Sequence, residues 1–282
     1  MRVRSKGLKF VVTGLCLLSL LLVAGCAEAG FEQDFGAVLE KVHSASSQAS
    51  YRWQGTETAS TKGVEGGKIV ETTTEIISDG AYLFPGRQEV KRETKTFESR
   101  LEAEKTPGRV WEEVHIGYEA YLRDYDADEE PGPWAVEARD NPPGGWFRRE
   151  GSLLLDAHLL MNVERLPTEK INGIKCLRYK AKVDMDELFE RTYPETAIEA
   201  MDPEERKALD KEREWFRLYD MTVELWIGKD DYLLRRFKYY GYNPYSSSSQ
   251  LSDPSGSQYS ITDTVIIEFH GYNEPIEIEP PV

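Results

Sequence analysis

The chain has 282 residues, with 50 Asp and Glu against 35 Lys and Arg, and a formal net charge of −15. A chain this acidic is a poor candidate for binding nucleic acid or for adhering to membranes through basic patches, because both depend on attraction to phosphate. The length exceeds that of a typical domain, but all-β barrels of this size often fold around one core, so we expect one large domain.

The first 26 residues have the pattern of a bacterial lipoprotein signal. Four basic residues precede an apolar run over residues 10–24, and Cys26 follows a small residue; the basic residues are Arg2, Arg4, Lys6 and Lys9. The run is too short for a transmembrane helix, which needs ~20 apolar residues. The pattern predicts a signal peptide over 1–25, lipidation of Cys26 and a short tether over 26–30. The mature protein would then be lipid-anchored at the extracytoplasmic face of the cell membrane, with an ordinary secretory signal as the alternative.

The first half of the folded part, which we expect to span 31–282, begins with one helix and continues in strands. Apolar residues at helical spacing predict the helix: Phe31, Phe35, Val38, Leu39 and Val42. Segments rich in Thr, Val and Tyr then predict an antiparallel meander over Tyr51–Trp53, Ile69–Ile77, Ala81–Phe84, Glu89–Leu101 and Val110–Tyr125. A proline- and glycine-rich crossing follows, with Trp134, Trp146 and Phe147 as candidate aromatic residues at a barrel mouth, or as rings that plug it.

The second half alternates between predicted helices and strands. A helix is predicted over 153–163 from Leu153, Leu154, Ala157, Leu160 and Met161, and a half-buried strand follows around Cys176. An acidic insertion at about 194–216 carries a second helix, for which Asp202 is a good N-cap and Pro203 a good first residue. Strands are then predicted over Thr222–Ile227, Tyr232–Tyr242 and Ile261–His270, with a mobile Ser-rich loop over 246–258.

Residues that could carry chemistry are few. Cys176 is the one cysteine left after the signal and the lipidated cysteine, and no partner motif accompanies it. The four histidines lack metal-ligand spacing, and the acidic stretch 124–130 lacks the glycine and closing glutamate of a calcium loop. No nucleophile elbow, phosphate loop or dinucleotide motif is present. We therefore predict no catalytic residue, no metal and no cofactor, and a protein that is not an enzyme.

Two segments near the C-terminus resemble the end of bacterial lipoproteins with the LolA/LolB-like fold, of the LppX and LprG type. They are residues 223–235, which read VELWIGKDDYLLR, and residues 266–280, which read IIEFHGYNEPIEIEP. The resemblance implies an α+β fold in which a large curved antiparallel sheet, an incomplete and half-open barrel, has helices over its concave face. It also implies an apolar cavity, and several members of that family carry lipids or lipidated molecules.

The strand pattern supplies candidates for the lining of such a cavity. Alternating apolar side chains that could line it are Leu177, Tyr179, Val183, Val223, Leu225, Ile227, Phe237, Tyr239, Val265, Ile267 and Phe269. The resulting hypothesis is a non-catalytic carrier that binds a lipid or lipidated molecule. The alternative is that these side chains form an ordinary filled core, in a cavity-free interaction or sensory module of the cell envelope. Partner proteins and the identity of the ligand do not follow from the sequence.

Overall fold

The computed structural model describes residues 35–65, 68–98, 108–139, 156–245 and 259–281. Eleven strands within these ranges form one antiparallel sheet. They are β1 (Tyr51–Glu65), β2 (Lys68–Leu83), β3 (Arg87–Glu98), β4 (Arg109–Ile116), β5 (Glu119–Asp126), β6 (Ala135–Ala138), β7 (Leu160–Ile171), β8 (Ile174–Val183), β9 (Asp220–Gly228), β10 (Leu234–Asn243) and β11 (Tyr259–His270).

The sheet is built from two meanders that meet in its middle. The strand order is β6-β5-β4-β3-β2-β1-β11-β10-β9-β8-β7, so every neighbouring pair except β1 and β11 is consecutive in the chain. β1 and β11 pair from Arg52 with His270 to Gly63 with Tyr259. The edge strands β6 and β7 do not pair with each other in the described structure, so the sheet is an incomplete half-barrel, as expected.

Four helices accompany the sheet in the described ranges: α1 (35–46), α2 (Met185–Thr192), α3 (Glu195–Glu199) and α4 (Pro203–Arg217). The predicted start of α4 is confirmed. The Asp202 side chain accepts hydrogen bonds from the backbone N–H groups of Glu204 and Glu205, and the Glu205 side chain accepts from the Asp202 N–H. This capping box satisfies donors that the first helical turn leaves unpaired.

The main core lies between α1 and one face of the sheet, which we call the inner face. The helix contributes a buried apolar stripe of Phe35, Val38, Leu39 and Val42. The inner face contributes alternate residues of β8, β9, β10, β11, β1 and β2, as the two-residue period of a strand requires. The helix therefore covers the sheet on its concave side.

The opposite or outer face is also partly covered, because the chain after β11 folds back across it. Ile276 and Ile278 of this C-terminal segment pack against Ala81 and Val114. The Arg87 guanidinium donates a hydrogen bond of 3.0 Å to the Ile278 carbonyl oxygen. Val114 of β4 therefore faces outward beneath the C-terminal segment.

The helix predicted over 153–163 is wrong from Ala157 onward. Ala157–Leu159 form a single 3₁₀ turn and β7 begins at Leu160; residues 153–155 lie outside the described ranges. The β7–β8 pairing shifts register twice, between Met161 and Glu164 and between Leu166 and Glu169. The apolar residues Ala157, Leu160 and Met161 fall at helical spacing but span the 3₁₀ turn and the start of β7, which is why they resembled one helix.

Other differences concern where strands begin and end. The segments predicted over Ile69–Ile77 and Ala81–Phe84 are one strand, β2. The segment predicted over Val110–Tyr125 is a hairpin that turns at Gly117, whose φ of 61° is in the left-handed region. β10 begins at Leu234 rather than at the predicted Tyr232, and a register shift between Leu234 and Arg236 lies at its start.

Candidate ligand-binding face

The part of the inner face beneath α1 is filled with aromatic side chains. The Phe35 ring of α1 lies 4.9 Å from the Tyr179 ring of β8. The Tyr51 ring is 5.5 Å from the Tyr82 ring and 5.8 Å from the Phe269 ring, all distances being between centroids. Rings at these separations are in contact. This zone of the inner face is therefore dry core.

All eleven residues predicted to line a cavity lie on the inner face, as the strand registers show. Nine of them are buried, namely Leu177, Tyr179, Val183, Val223, Leu225, Ile227, Phe237, Val265 and Phe269. Tyr239 and Ile267 are half-buried and pack at the border of the core. Their common face is thus established, while their contact with a ligand remains a prediction.

Beyond α1 the inner face is less covered. Along β1 the inward side chains are buried at Tyr51 and Trp53 but only half-buried at Glu57, Ala59 and Thr61. On the neighbouring strands Ile76 and Trp111 share this face and are also half-buried. β1 has 15 residues and is therefore ~50 Å long. The described part of α1 is much shorter, ~18 Å at 1.5 Å per residue.

The helical insertion is fastened to the inner face by Tyr219, which follows α4. Its hydroxyl donates a hydrogen bond to Asp263 of β11. The ring lies directly on β10, where a Cβ added to Gly241 would meet the Tyr219 hydroxyl oxygen at 2.3 Å. Burial raises the pKa of the Tyr219 hydroxyl, and the hydrogen bond to Asp263 raises it further. Burial also raises the pKa of the Asp263 carboxyl above its usual range.

The end of α4 is fastened by two further hydrogen bonds. The Trp215 indole N–H donates to the Tyr245 carbonyl oxygen at 2.8 Å, and the Asn243 amide donates to the Trp215 carbonyl oxygen at 2.8 Å. Sequence reasoning did not find this attachment. One signal was available, because a glycine inside a strand, here Gly241, marks a close approach of another group.

A cleft of about 680 Å³ lies among the helices of the insertion, away from the sheet. Its lining is amphipathic, with Tyr193 and Ile198 beside Glu190 and Glu195. The Arg213 guanidinium lies 4.9 Å from the centroid of the adjoining Phe189 ring. The insertion therefore has a concave surface of its own, outside the inner face.

Of the three aromatic residues predicted at a barrel mouth, one lies within the described residues and two lie outside them. Trp134 packs with the outer-face cluster around Val114 and Ile278, and the Arg123 guanidinium lies 4.2 Å from its ring centroid. Trp134 thus lies on the face opposite the candidate lining residues. Trp146 and Phe147 lie outside the described residues, as do Cys26, the signal over 1–25, the tether over 26–30 and the loop over 246–258.

Cys176, the free cysteine that could act as a nucleophile, lies in a buried apolar environment. Cys176 is fully buried on the outer face with Ile171 and Trp226. Burial raises the pKa of its thiol, which disfavours the nucleophilic thiolate at neutral pH.

In the described parts of the chain no group of three or more His, Cys, Asp or Glu side chains could hold a metal ion. No helix in those parts is long and apolar enough to span a bilayer.

No protein-family model and no curated protein matches the chain, but solved structures match it over most of its length. LprF from Mycobacterium bovis is 12% identical with a TM-score of 0.40, over 88% of this chain and 97% of that one. The Mycobacterium tuberculosis lipoprotein LppX is 11% identical with a TM-score of 0.37, over 88% and 99%. A LolA superfamily protein from Nitrosomonas europaea is 9% identical with a TM-score of 0.19, over 86% and 94%. The chain is thus similar to these solved structures at 9–12% sequence identity and TM-scores of 0.19–0.40.

Proposed function

We propose that this protein is a lipid-anchored extracytoplasmic lipoprotein that holds a lipid or lipidated molecule on the inner face of its half-barrel, without catalysing a reaction. This proposal is supported by the burial of the inner-face side chains, which differs from one part of the face to another. The core around α1 is filled, whereas Ile76, Trp111 and Tyr239 on the same face are only half-buried, and the last two pack at the border of that core. An acyl chain there would gain ~0.8 kcal/mol for each methylene removed from water.

Native mass spectrometry of the protein extracted from its own membrane tests this proposal. We expect a bound lipid in addition to the anchor on Cys26. Ile76→Lys should reduce the bound fraction because it puts a charge on the half-buried inner face. The matched control is Ile77→Lys, since Ile77 is adjacent, 40% exposed and on the outer face. Absence of bound lipid under mild conditions, or equal loss in both variants, would contradict the proposal.

The proposed anchor is tested separately. Cys26→Ser removes the thiol that would carry the diacylglycerol, so we expect the variant to lose incorporation of labelled fatty acid and to be released from washed membranes. Retention of both properties would contradict lipidation at this cysteine.

A second candidate function is an interaction module whose barrel is simply filled. The burial of nine predicted lining residues favours it, since a side chain packed in core does not contact a ligand. In that case neither the unsubstituted protein nor the Ile76→Lys variant should contain bound lipid, and the substitution should only lower the stability.

A further inference from the structure

Three polar side chains lie together on the inner face of β3 and β4, and we call them the inner polar cluster: Gln88, Glu113 and His115. They are 8%, 9% and 1% exposed, respectively. Gln88 and His115 are directly opposite each other in the β3–β4 pairing. Glu113 is two residues before His115 and therefore shares its face. Glutamine and glutamate are seldom buried to this extent without partners.

The inner polar cluster is hydrogen-bonded only in part. The Glu113 carboxylate contacts His115 Nε2. His115 Nδ1 and Gln88 Oε1 are both buried, and neither has a hydrogen-bond partner within the described structure. A buried polar atom without a partner destabilises the folded chain, and native proteins leave few of them. This part of the sheet therefore keeps two hydrogen-bonding atoms that its own side chains do not use.

The hydrogen-bonding character of His115 Nδ1 and Gln88 Oε1 determines which ligand group could bind to them. When the Glu113 carboxylate is ionised and the imidazole is neutral, His115 Nε2 carries the proton that faces the carboxylate and Nδ1 is left as an acceptor. Gln88 Oε1 is an acceptor as well, so the complement is a pair of neighbouring donors. Two hydroxyl groups supply them at a lower desolvation cost than a buried ammonium group does.

We propose that the inner polar cluster binds the vicinal hydroxyl groups of a lipid, one O–H donating to His115 Nδ1 and the other to Gln88 Oε1. The ligand class is a lipid with a free diol head, such as a monoacylglycerol, rather than a fully esterified one. This inference rests on the proposed function, because the acyl chain would lie on the same inner face. The cluster would then orient the head while the half-buried zone covers the chain.

The test compares two probes with the same acyl chain, 1-oleoylglycerol and its di-O-methyl ether, on delipidated full-length protein in detergent. The ether keeps the oxygen atoms but has no hydroxyl to donate. We expect the diol to bind ~10-fold more tightly, because two hydrogen bonds are lost in the ether. Gln88→Leu should reduce this preference, and Gln88→Leu with His115→Phe should remove it. Gln54→Leu, at an exposed position of β1, should leave it unchanged.

Each outcome separates this inference from the proposed function. Equal affinity for both probes, or a preference that Gln88→Leu leaves intact, would overturn the diol site alone. Binding of neither probe would overturn the diol site, and the absence of any bound lipid in the membrane-extracted protein would overturn the proposed function as well. The Tm of the protein without ligand is a second measurement. Gln88→Leu should raise this Tm by ~2–4 °C, since the substitution removes an unpaired buried acceptor. A lower Tm would mean that Gln88 is a structural residue and would contradict the site.

Discussion

Gly241 shows how one missing side chain attaches the helical insertion to the sheet. A Cβ at this position would lie 2.3 Å from the Tyr219 hydroxyl oxygen and 2.6 Å from the ring carbon that bears it. Both distances are shorter than any normal contact, and the Tyr219 ring is also held by Asp263. The close approach therefore depends on glycine.

We expect Gly241→Ala to lower the free energy of unfolding by ~1–3 kcal/mol, because the ring must shift out of its packed position. Chemical denaturation followed by fluorescence measures the loss. In a Tyr219→Ala background the same substitution should cost little, and this double-mutant cycle identifies the ring as the cause. Gly36→Ala is the matched control: no atom lies within 4 Å of its added Cβ. In α1 it should stabilise by ~0.5–1 kcal/mol.

Glu112 is the residue whose ionisation is most clearly tied to ion pairs on the outer face. Its carboxylate lies 3.1 Å from Lys91 Nζ and accepts a hydrogen bond of 2.5 Å from Arg123 Nε. Burial acts to raise the pKa of this carboxyl, but the hydrogen bonds from Lys91 and Arg123 outweigh it, so the pKa is held below its ordinary value of 4.5. The stabilisation is therefore present above pH 4.5 and is lost as the pH falls through the lowered pKa.

We expect Glu112→Gln to lower the Tm at neutral pH and to have a progressively smaller effect below about pH 4.5. Thermal unfolding of both proteins across this range measures the difference. Lys91→Met removes one of the two cations and should reproduce part of the same pH dependence. A Tm difference that stays constant down to strongly acidic pH would show that the carboxylate is not the source.

At the scale of elements, α4 is stabilised mainly by its own ends. None of its residues is fully buried, and the capping box of Asp202 and Glu205 closes its first turn. A helix without a buried residue depends on such local interactions more than a core helix does. The sequence predicted this start correctly because the cap, the proline and the acidic first turn are all local signals.

Asp202→Ala should destabilise α4 by ~1 kcal/mol, because two backbone donors lose their acceptor. Amide hydrogen exchange of the first turns should become roughly 5-fold faster, while global unfolding changes less. Asp210→Ala removes the same charge from an exposed position of the same helix and should leave exchange at the N-terminus unchanged. Equal effects of the two substitutions would contradict the capping role.

Other elements show where local signals fail. β8 and β9 were predicted because Leu177, Tyr179, Val223 and Leu225 alternate without interruption. β7 was mistaken for a helix because Ala157, Leu160 and Met161 fall at helical spacing, although they span a 3₁₀ turn and the start of a strand. At three positions of β4 the usual placement of apolar and polar side chains is reversed. Val114 faces outward beneath the C-terminal segment, whereas Glu113 and His115 face the core. Sequence alone does not show that a distant segment covers the outer face.

At the scale of the whole molecule, the decisive pairing is the one between β1 and β11. It joins residues about 200 positions apart in the chain and brings the two meanders into one sheet. Strand periodicity gives the faces of each strand but not this neighbour, so the half-barrel followed from the resemblance and the individual strands from the residues. The candidate lining residues were found together on one face for that reason.

We propose that the inner face of the sheet, and not the outer one, holds the ligand. The direct test is photo-crosslinking of the membrane-extracted protein with a fatty acyl probe that carries a diazirine, followed by mapping of the modified peptides. We expect crosslinks on half-buried residues of the inner face, such as Ile76, Trp111 and Tyr239. Crosslinks confined to outer-face residues such as Ile69 and Ile77, or no crosslink that excess lipid competes away, would contradict it.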